Sequence, residues 1–584
     1  MNADRSGGPS GLPPGMLKAL PVSWIMFLAT LFTLMFRSAS YPVCWALSRL
    51  VVIFKKGARL SCDNYRGISV MDTFAKLFDR CLCRRFERWF VPEREQAGAQ
   101  RERGCTEHIV TLRLLMDYAL SKHVPLYVTY IDFSKAYDRV PRAALLNLLA
   151  SMGCGYAMLC ALSCLYANTR LILGTAVITA TIGLRQGSPT SCFLFTLYLD
   201  KFVRKIKEVC GNDGFLKWVH VLLLMDDTVI LATNREQALK KLKVLKEFCD
   251  ESGMVINMAK TKFMVINGSV EDKESLVIDD LVVENCESYV YLGAIFTQNG
   301  RTDTAFEEYV RSKQGHVLKF VSFLVKNCDF PFWVKRKVHE AALMSSILYG
   351  CEAWLGNSSK IAHKAYMTSV RALLGVRQTT PNDTCLLEIG LPSIVARVKD
   401  KQARFMQKTV NAREHLTNDP FITIWKLSCE ANTRGSRYLR AVMDIRDHAF
   451  RDVLERKVKI SNATSTKATT YRELNPDLAV HRMYSDRSVR EFERIDATRL
   501  RLSSHNLAIE TGRWARIPRD ERLCRCGPSM QTEEHVVCFC PYTLEIRREH
   551  STVDFEDLRA VFDHDRADTI CHVLSKSLRT VVSL

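Results

Sequence analysis

The sequence predicts an α+β chain of several domains, and three observations carry that expectation. Two β-type runs, Val124-Pro-Leu-Tyr-Val-Thr-Tyr-Ile-Asp132 and Val221-Leu-Leu-Leu-Met-Asp-Asp-Thr-Val-Ile-Leu231, are rich in residues that fit a pleated sheet, yet each carries acids. Helical periodicity alternates with them. Phe195, Tyr198, Phe202 and Ile206 share one face of a segment, and Leu239, Leu242, Leu245, Phe248 and Cys249 share one face of another that runs from Glu236 to Asp250 and is followed by Gly253. The 584 residues leave room for several cores, with no solenoid repeat and no long disordered tract.

Along the chain, Leu20 to Phe36 holds no charge and reaches the lower limit for a membrane-spanning helix. Pro21 near its start, and further apolar residues through Val52-Ile-Phe54, fit a buried helix and a strand instead, so no stable membrane association is expected. Val255-Ile-Asn257 and Phe263 to Ile266 are expected strands that close the sheet. Asp226 and Asp227 interrupt an apolar run, where a bare buried carboxylate is costly unless a cation compensates. The pair predicts the tight turn of a hairpin with both carboxylates at its tip, and Asp132 ends its own strand. If these strands pair side by side, Asp132 and Asp226 can share two divalent cations roughly 3.5–4 Å apart, the arrangement that clamps attacking and leaving oxygens in phosphoryl transfer. Paired aspartates are also common as solvated turn formers, so the surrounding order of motifs decides.

That order resembles the reverse transcriptases of non-LTR (LINE-type) retrotransposons, from about Gly8 to Cys540. Tyr-Ile-Asp132-Phe-Ser-Lys-Ala-Tyr137-Asp-Arg-Val looks like the family's first palm motif, Gly183-Leu-Arg-Gln186-Gly187-Ser-Pro its second, and Leu224-Met225-Asp226-Asp227 its catalytic hairpin. Gly253-Met-Val-Ile-Asn257-Met-Ala-Lys260-Thr-Lys262 resembles the next motif, and Tyr289-Val-Tyr291-Leu292-Gly293 the primer grip. Upstream, Asn64 to Ser69 with Lys76, and Gln96-Ala-Gly98 with Arg101, Arg103 and Thr106, resemble the fingers. Leu348-Tyr349-Gly350-Cys-Glu352-Ala-Trp354 matches a segment found after the palm. The hairpin departs from the family's aromatic-Ala-Asp-Asp at Leu224-Met225.

The resemblance implies a right-hand polymerase of fingers, palm and thumb, followed by a mainly helical basic region and a small zinc knuckle. Asp132, Asp226 and Asp227 would hold two Mg²⁺ (or Mn²⁺) ions. Tyr137 would lie under the nucleotide sugar and select deoxynucleotides, unless it is simply a core aromatic. Gln186 and Gly187 would lie against the incoming nucleotide. Arg66 and Lys76 would grip the triphosphate, which suits a guanidinium fork and a point-like ammonium, though solvated surface is the plain alternative. Lys260 and Lys262 both stand where a lysine meets the leaving pyrophosphate, and sequence does not separate them. Tyr291, Leu292 and Gly293 would form the primer grip. The expected partition is 1–60 for an extension of the fingers, 61–270 for fingers and palm, and 271–390 for primer grip and helical thumb. It continues with 391–520 for a basic nucleic-acid-binding region, 521–545 for the knuckle and 546–584 for a tail. Because the lead-in begins within the first dozen residues, no N-terminal endonuclease is expected before it.

Cys524, Cys526, His535 and Cys540 offer four thiolate or imidazole ligands in one short stretch, enough for tetrahedral Zn²⁺, with Cys538 an alternative to Cys524. The other cysteines among the 21 are scattered, so no secreted disulfide framework is implied and an intracellular setting fits. Lys plus Arg number 82 against 63 for Asp plus Glu, a net charge of +19 that favours polyanionic partners. Between Leu391 and Cys524 there are 27 basic and 17 acidic residues, so this stretch supplies more than half of the excess. Arg437-Tyr438, Tyr471-Arg472, Arg482-Met-Tyr484 and Arg513-Trp514-Ala-Arg516 there suit phosphate contact with base stacking. The expected function is RNA-directed DNA polymerisation, with RNA template, DNA primer and dNTPs as partners in a cytoplasmic ribonucleoprotein and in the nucleus. Sequence leaves the oligomeric state undetermined. The alternative, favoured by Leu224-Met225, is a catalytically decayed nucleic-acid-binding relic.

Overall fold

Leu126-Tyr-Val-Thr-Tyr-Ile131 is almost entirely branched and aromatic, and all six residues are buried, which is the burial of a strand covered on both faces and both edges. The computed structural model describes residues 6–100, 102–356, 360–416 and 418–582, and the expected fingers residue Arg101 lies outside them. Two compact units divide the chain: 1–300 with 413–433, and 301–412 with 434–584. The 271–390 segment therefore gives its hairpin to the first unit and its helices to the second.

The first unit holds the strands β1 Leu47–Phe54, β2 Tyr65–Met71, β3 Leu126–Ile131, β4 Arg170–Leu173, β5 Ala176–Thr179, β6 Val221–Leu224, β7 Asp227–Ala232, β8 Lys262–Ile266, β9 Leu276–Ile278, β10 Leu281–Asn285, β11 Ser288–Tyr291 and β12 Ala294–Thr297. They form a four-stranded sheet β2-β1-β4-β5, a six-stranded sheet β6-β7-β3-β8-β10-β9 and the β11-β12 hairpin. In the larger sheet β3 runs antiparallel to both β7 and β8. The helices Thr73–Trp89, Pro189–Cys210 and Arg235–Ser252 pack on one another in the order given, and Phe86, Phe195, Phe202 and Phe248 belong to the core they share with the sheet. Full burial of each such ring contributes about 1.5–3 kcal/mol, which seats the helices on the sheet. Asn234 caps Arg235–Ser252 by accepting the Gln237 N–H.

Three expectations change. The hairpin turn is Met225-Asp226, because Leu224 pairs with Asp227, so Asp227 begins β7 instead of sharing the tip. Val255-Ile-Asn257 is not a strand: Ile256 makes a single bridge to Phe133, since a turn closes at once from Asn257 to Lys260 and Thr261. The apolar N-terminal segment is a helix, Val22–Ser38, but it is buried only along Leu28, Phe32 and Met35, while Trp24, Ile25, Met26, Phe27 and Leu34 are exposed. Among the described residues no helix is long and apolar enough to cross a membrane.

The second unit is helical, and its basic stretch turns several of its aromatics inward. Tyr471 and Tyr484 are buried and donate their hydroxyls to Glu388, at 2.9 Å each, while Arg501 donates to the same carboxylate at 2.7 and 3.3 Å. Arg494 pairs with Glu491 and lies over Phe332 and Tyr484. The Tyr471 and Tyr484 rings are thus committed to internal hydrogen bonds and are not free to stack on bases, a correction to the expectation from sequence. Trp514 is exposed, with the Arg377 guanidinium 3.8 Å over its ring. Replacing Glu388 by Ala leaves Arg501 buried and unpaired and should cost about 3–5 kcal/mol of unfolding free energy, read as a lowered urea midpoint. An unchanged midpoint would show that this network does not organise the unit.

Candidate active site

The register of the six-stranded sheet brings the acids together. Ile131 of β3 faces Thr228 of β7; Asp132 follows the one and Asp227 precedes the other, and the Asp132 charge is felt at Asp227. Asp226 occupies the adjoining turn. Asp132 is fixed from behind: its N–H donates to Thr261 Oγ1 at 3.2 Å, and its carbonyl accepts the Asn257 N–H at 2.7 Å. Burial raises the Asp226 carboxyl above the usual range, and the Asp132 charge adds to this while Arg66 and Lys55 oppose it. Asp227 is pushed up to about 6 by burial, then by Asp226 and Asp132, against Arg66. The charges of Asp132 and Asp226 thus act on the neighbouring acids, and carboxylate oxygens are the donors that a hard divalent cation takes.

The lysines separate. Lys260 Nζ lies 3.2 Å from Asp132 Oδ2, whereas Lys262 Nζ turns to Glu284 of β10 at 2.5 Å. Arg66, exposed on β2, is close enough for its charge to be felt at both hairpin acids and at Tyr137. Lys76 sits half-buried in the first turn of helix Thr73–Trp89.

Tyr137 lies on the short helix Ala136–Arg139, its ring stacked on Phe195 with centroids 4.3 Å apart and planes 19° from parallel. Burial carries its hydroxyl well above the ordinary tyrosine range, helped by a hydrogen bond with Cys192 and by the charge of Asp226. The Gly183–Gly187 loop is sewn onto this helix and onto β2: Leu184 N–H donates to Tyr137 O at 2.8 Å, Ser69 N–H to Gln186 O at 2.7 Å, and Gln186 Nε2 to Asp138 Oδ1 at 3.0 Å. Gly187 has φ +117°, and a Cβ there would stand 2.5 Å from the Ser69 carbonyl oxygen. Its lack of a side chain therefore serves first to let the loop lie on β2.

In the β11-β12 hairpin, Leu292 and Gly293 both take positive φ, the mirror-image turn that suits strand twist. Tyr291 is buried, its hydroxyl 3.5 Å from His108 Nδ1. Tyr289 stacks on Tyr130 of β3 at 4.1 Å, and its hydroxyl is pushed up to about 12 by burial and then by the charges of Asp132 and Asp227. The expected grip is thus pinned to the strand that carries Asp132.

Residues absent from the sequence reading support the loop. Asp79, buried in helix Thr73–Trp89, accepts from Ser188 Oγ and from Thr190 Oγ1 at 2.6 Å. Arg142 donates to the carbonyls of Gly183, Tyr166 and Ala180 at 3.0, 2.9 and 2.6 Å. The one signal for Asp79 was an acid beside Phe78 on the apolar face of an amphipathic helix.

In the second unit, one donor atom from each of Cys524, Cys526, His535 and Cys540 lies within 4.8 Å of the others, with Cys526 Sγ 3.1 Å from His535 Nε2. Cys538 is buried but outside this group, so the alternative ligand is set aside.

Residues 53–296 match the family model described as reverse transcriptase (RNA-dependent DNA polymerase). Over these residues the chain is similar to reverse transcriptases. Its relatives are proteins of non-LTR retrotransposons, as the motifs implied. It is 22% identical to a 115 kDa protein of the type-1 retrotransposable element R1DM of Drosophila melanogaster, over 64% of this chain and 37% of that protein. It is 24% identical to the Pol polyprotein of the type-1 retrotransposable element R2 of Popillia japonica, over 88% of this chain and 72% of that protein. The chain thus spans little more than a third of the R1DM protein. An apo telomerase structure from Candida tropicalis aligns with 77% of this chain and 72% of its own, at 12% identity and a TM-score of 0.33, too slight to bear weight.

Burial lowers His108 to about 3, with Arg103 and Arg413 adding to it. The folded state keeps this ring neutral while the unfolded chain protonates below about 6.5, so stability is full above that pH and falls as pH drops towards 3. His108→Gln should abolish about 2 kcal/mol of the loss between pH 6.5 and 5, measured by urea unfolding at each pH. An equal acid loss in both proteins would contradict the assignment.

Proposed function

We propose that the protein is an RNA-directed DNA polymerase of a non-LTR retrotransposon, extending a primer 3′-hydroxyl on an RNA template with dNTPs. The observation that carries the reading is the convergence of Asp132, Asp226 and Asp227 at one end of β3 and its neighbouring hairpin. Asp132 and Asp226 would hold two Mg²⁺ ions, with Asp227 beside them. Bound there, such ions activate the attacking hydroxyl and offset charge on the triphosphate.

The chain's own residues supply the remaining work. Tyr137, fixed flat on Phe195, excludes a ribose 2′-hydroxyl by its bulk. The Gln186 amide lies against the incoming nucleotide and Arg66 pairs with its phosphates; Lys76 is assigned the same role from its place one element beyond β2. Lys260, already beside Asp132, holds the proton that passes to the leaving pyrophosphate, and Lys262 is assigned to β10. Tyr291, Leu292 and Gly293 grip the primer. The Cys524, Cys526, His535 and Cys540 donors fit a structural Zn²⁺, and the excess of basic charge favours the RNA partner of an intracellular particle.

Primer extension with Mg²⁺, RNA template and dNTPs should show incorporation that falls about a thousandfold in Asp226→Ala, while filter binding of template changes by less than about twofold because no basic residue is lost. Salt-sensitive RNA binding without incorporation under any divalent metal would identify the relic instead. Metal analysis should find about one zinc per chain, lost in Cys526→Ser; a zinc-free wild-type protein would reject the knuckle.

A further inference from the structure

The turn that presents Asp226 is one its own sequence disfavours. Met225 has φ +57°, a left-handed conformation that costs a non-glycine residue and is worse for a bulky one. Leu224 and Asp227 on either side supply no glycine or asparagine to ease it. Something outside the hairpin must hold it.

That support comes from the segment Glu95-Gln96-Ala-Gly98. It runs parallel to β6, exchanging Leu223 N–H to Glu95 O and Ala97 N–H to Leu223 O, both at 2.8 Å. Gln96 is fully buried, and its amide reaches around the turn. Its Oε1 accepts both the Gly98 N–H at 2.8 Å and the Met225 N–H at 3.0 Å, while its Nε2 donates to the Met225 carbonyl at 3.4 Å. Both peptide groups of the strained residue are thus satisfied by one side chain. Gly98 makes room: a Cβ there would lie 2.8 Å from Met225 N and from Met225 Sδ. Thr196, one residue beyond the Phe195 that carries the Tyr137 ring, brings its hydroxyl 3.8 Å from the same sulfur.

We infer that Gln96 is a positioning residue for the proposed polymerase reaction: with Gly98 it clamps Met225 in its left-handed conformation and so aims the Asp226 carboxylate at Asp132. This rests on the proposed function for its effect on catalysis, but the clamp itself is a property of the fold. It acts without touching substrate. Loss of the amide leaves the half-buried Met225 N–H and C=O without their Gln96 partner and lets the turn relax toward negative φ, moving Asp226 while leaving the dNTP-contacting loop in place.

Hydrogen exchange followed by mass spectrometry of peptides covering 221–230 tests the clamp whether or not the protein polymerises. Exchange of this hairpin should accelerate at least about tenfold in Gln96→Leu, the effect of losing a buried hydrogen bond, with β8 unchanged. Gly98→Ala should do the same by pushing Met225 away, and it decides the matter if Gln96→Leu fails to fold. Exchange unchanged in a folded variant overturns the clamp. In primer extension, kcat should fall about 10–100-fold in Gln96→Leu with the dNTP KM within about twofold. Adding Met225→Gly, which needs no clamp to take positive φ, should recover about tenfold relative to Gln96→Leu, after correction for Met225→Gly alone. Absence of recovery overturns the positioning role. Absence of incorporation by the wild-type protein would instead defeat the proposed function and leave exchange to judge the clamp.

Discussion

The desolvation of neighbouring carboxylates of one sign is the constraint on which the first unit depends. Asp132, Asp226 and Asp227 lie where β3 ends beside the β6-β7 hairpin, the first two half-buried, and Asp226 and Asp227 are raised above the normal carboxylate range by loss of solvation first and by the charge of neighbouring acids after it. Such an arrangement opposes folding unless neighbouring cations or a bound metal offset it. Arg66, Lys55 and Lys260 provide part of the compensation, from β2, from the residue after β1, and from the turn before β8. The fully buried strand β3 supplies the rigidity, since its pairing with β7 and β8 leaves Asp132 little freedom to retreat.

The same logic of fixed backbone and compensated charge extends outward. The Gly183–Gly187 loop is not a free loop near the acids. It is bonded to Tyr137 on one side and to Ser69 on the other, and anchored below by the buried Asp79 carboxylate through Ser188 and Thr190. Tyr137 in turn is held by Phe195 on the helix that this loop introduces. In the second unit the buried Glu388 carboxylate serves a structural end, gathering Arg501, Tyr471 and Tyr484.

Much of the chain was legible in the sequence where its signals are local and physically costly. Acids in apolar runs, helical stripes such as Phe195 to Ile206, and four metal-type ligands within seventeen residues, Cys524 to Cys540, stand out against composition. The rest depended on partners distant in the chain. The turn fell at Met225-Asp226 because pairing of Leu224 with Asp227 sets it, and Met225 carries no turn signal. Asp79 reads as one more surface acid until Ser188 and Thr190, over a hundred positions away, are seen to meet it. Tyr471 and Tyr484 read as stacking rings because they neighbour arginines, yet Glu388 decides which way they face. Lys260 and Lys262 share one motif, and only the opposite directions of their side chains part them.

The central claim, that these acids converge to hold divalent metal, is tested most directly by anomalous diffraction from crystals soaked in Mn²⁺. Manganese peaks are expected bounded by the carboxylates of Asp132 and Asp226, with Asp227 alongside. Data showing no manganese there, with the carboxylates engaged only by Lys260 and Arg66, would contradict it.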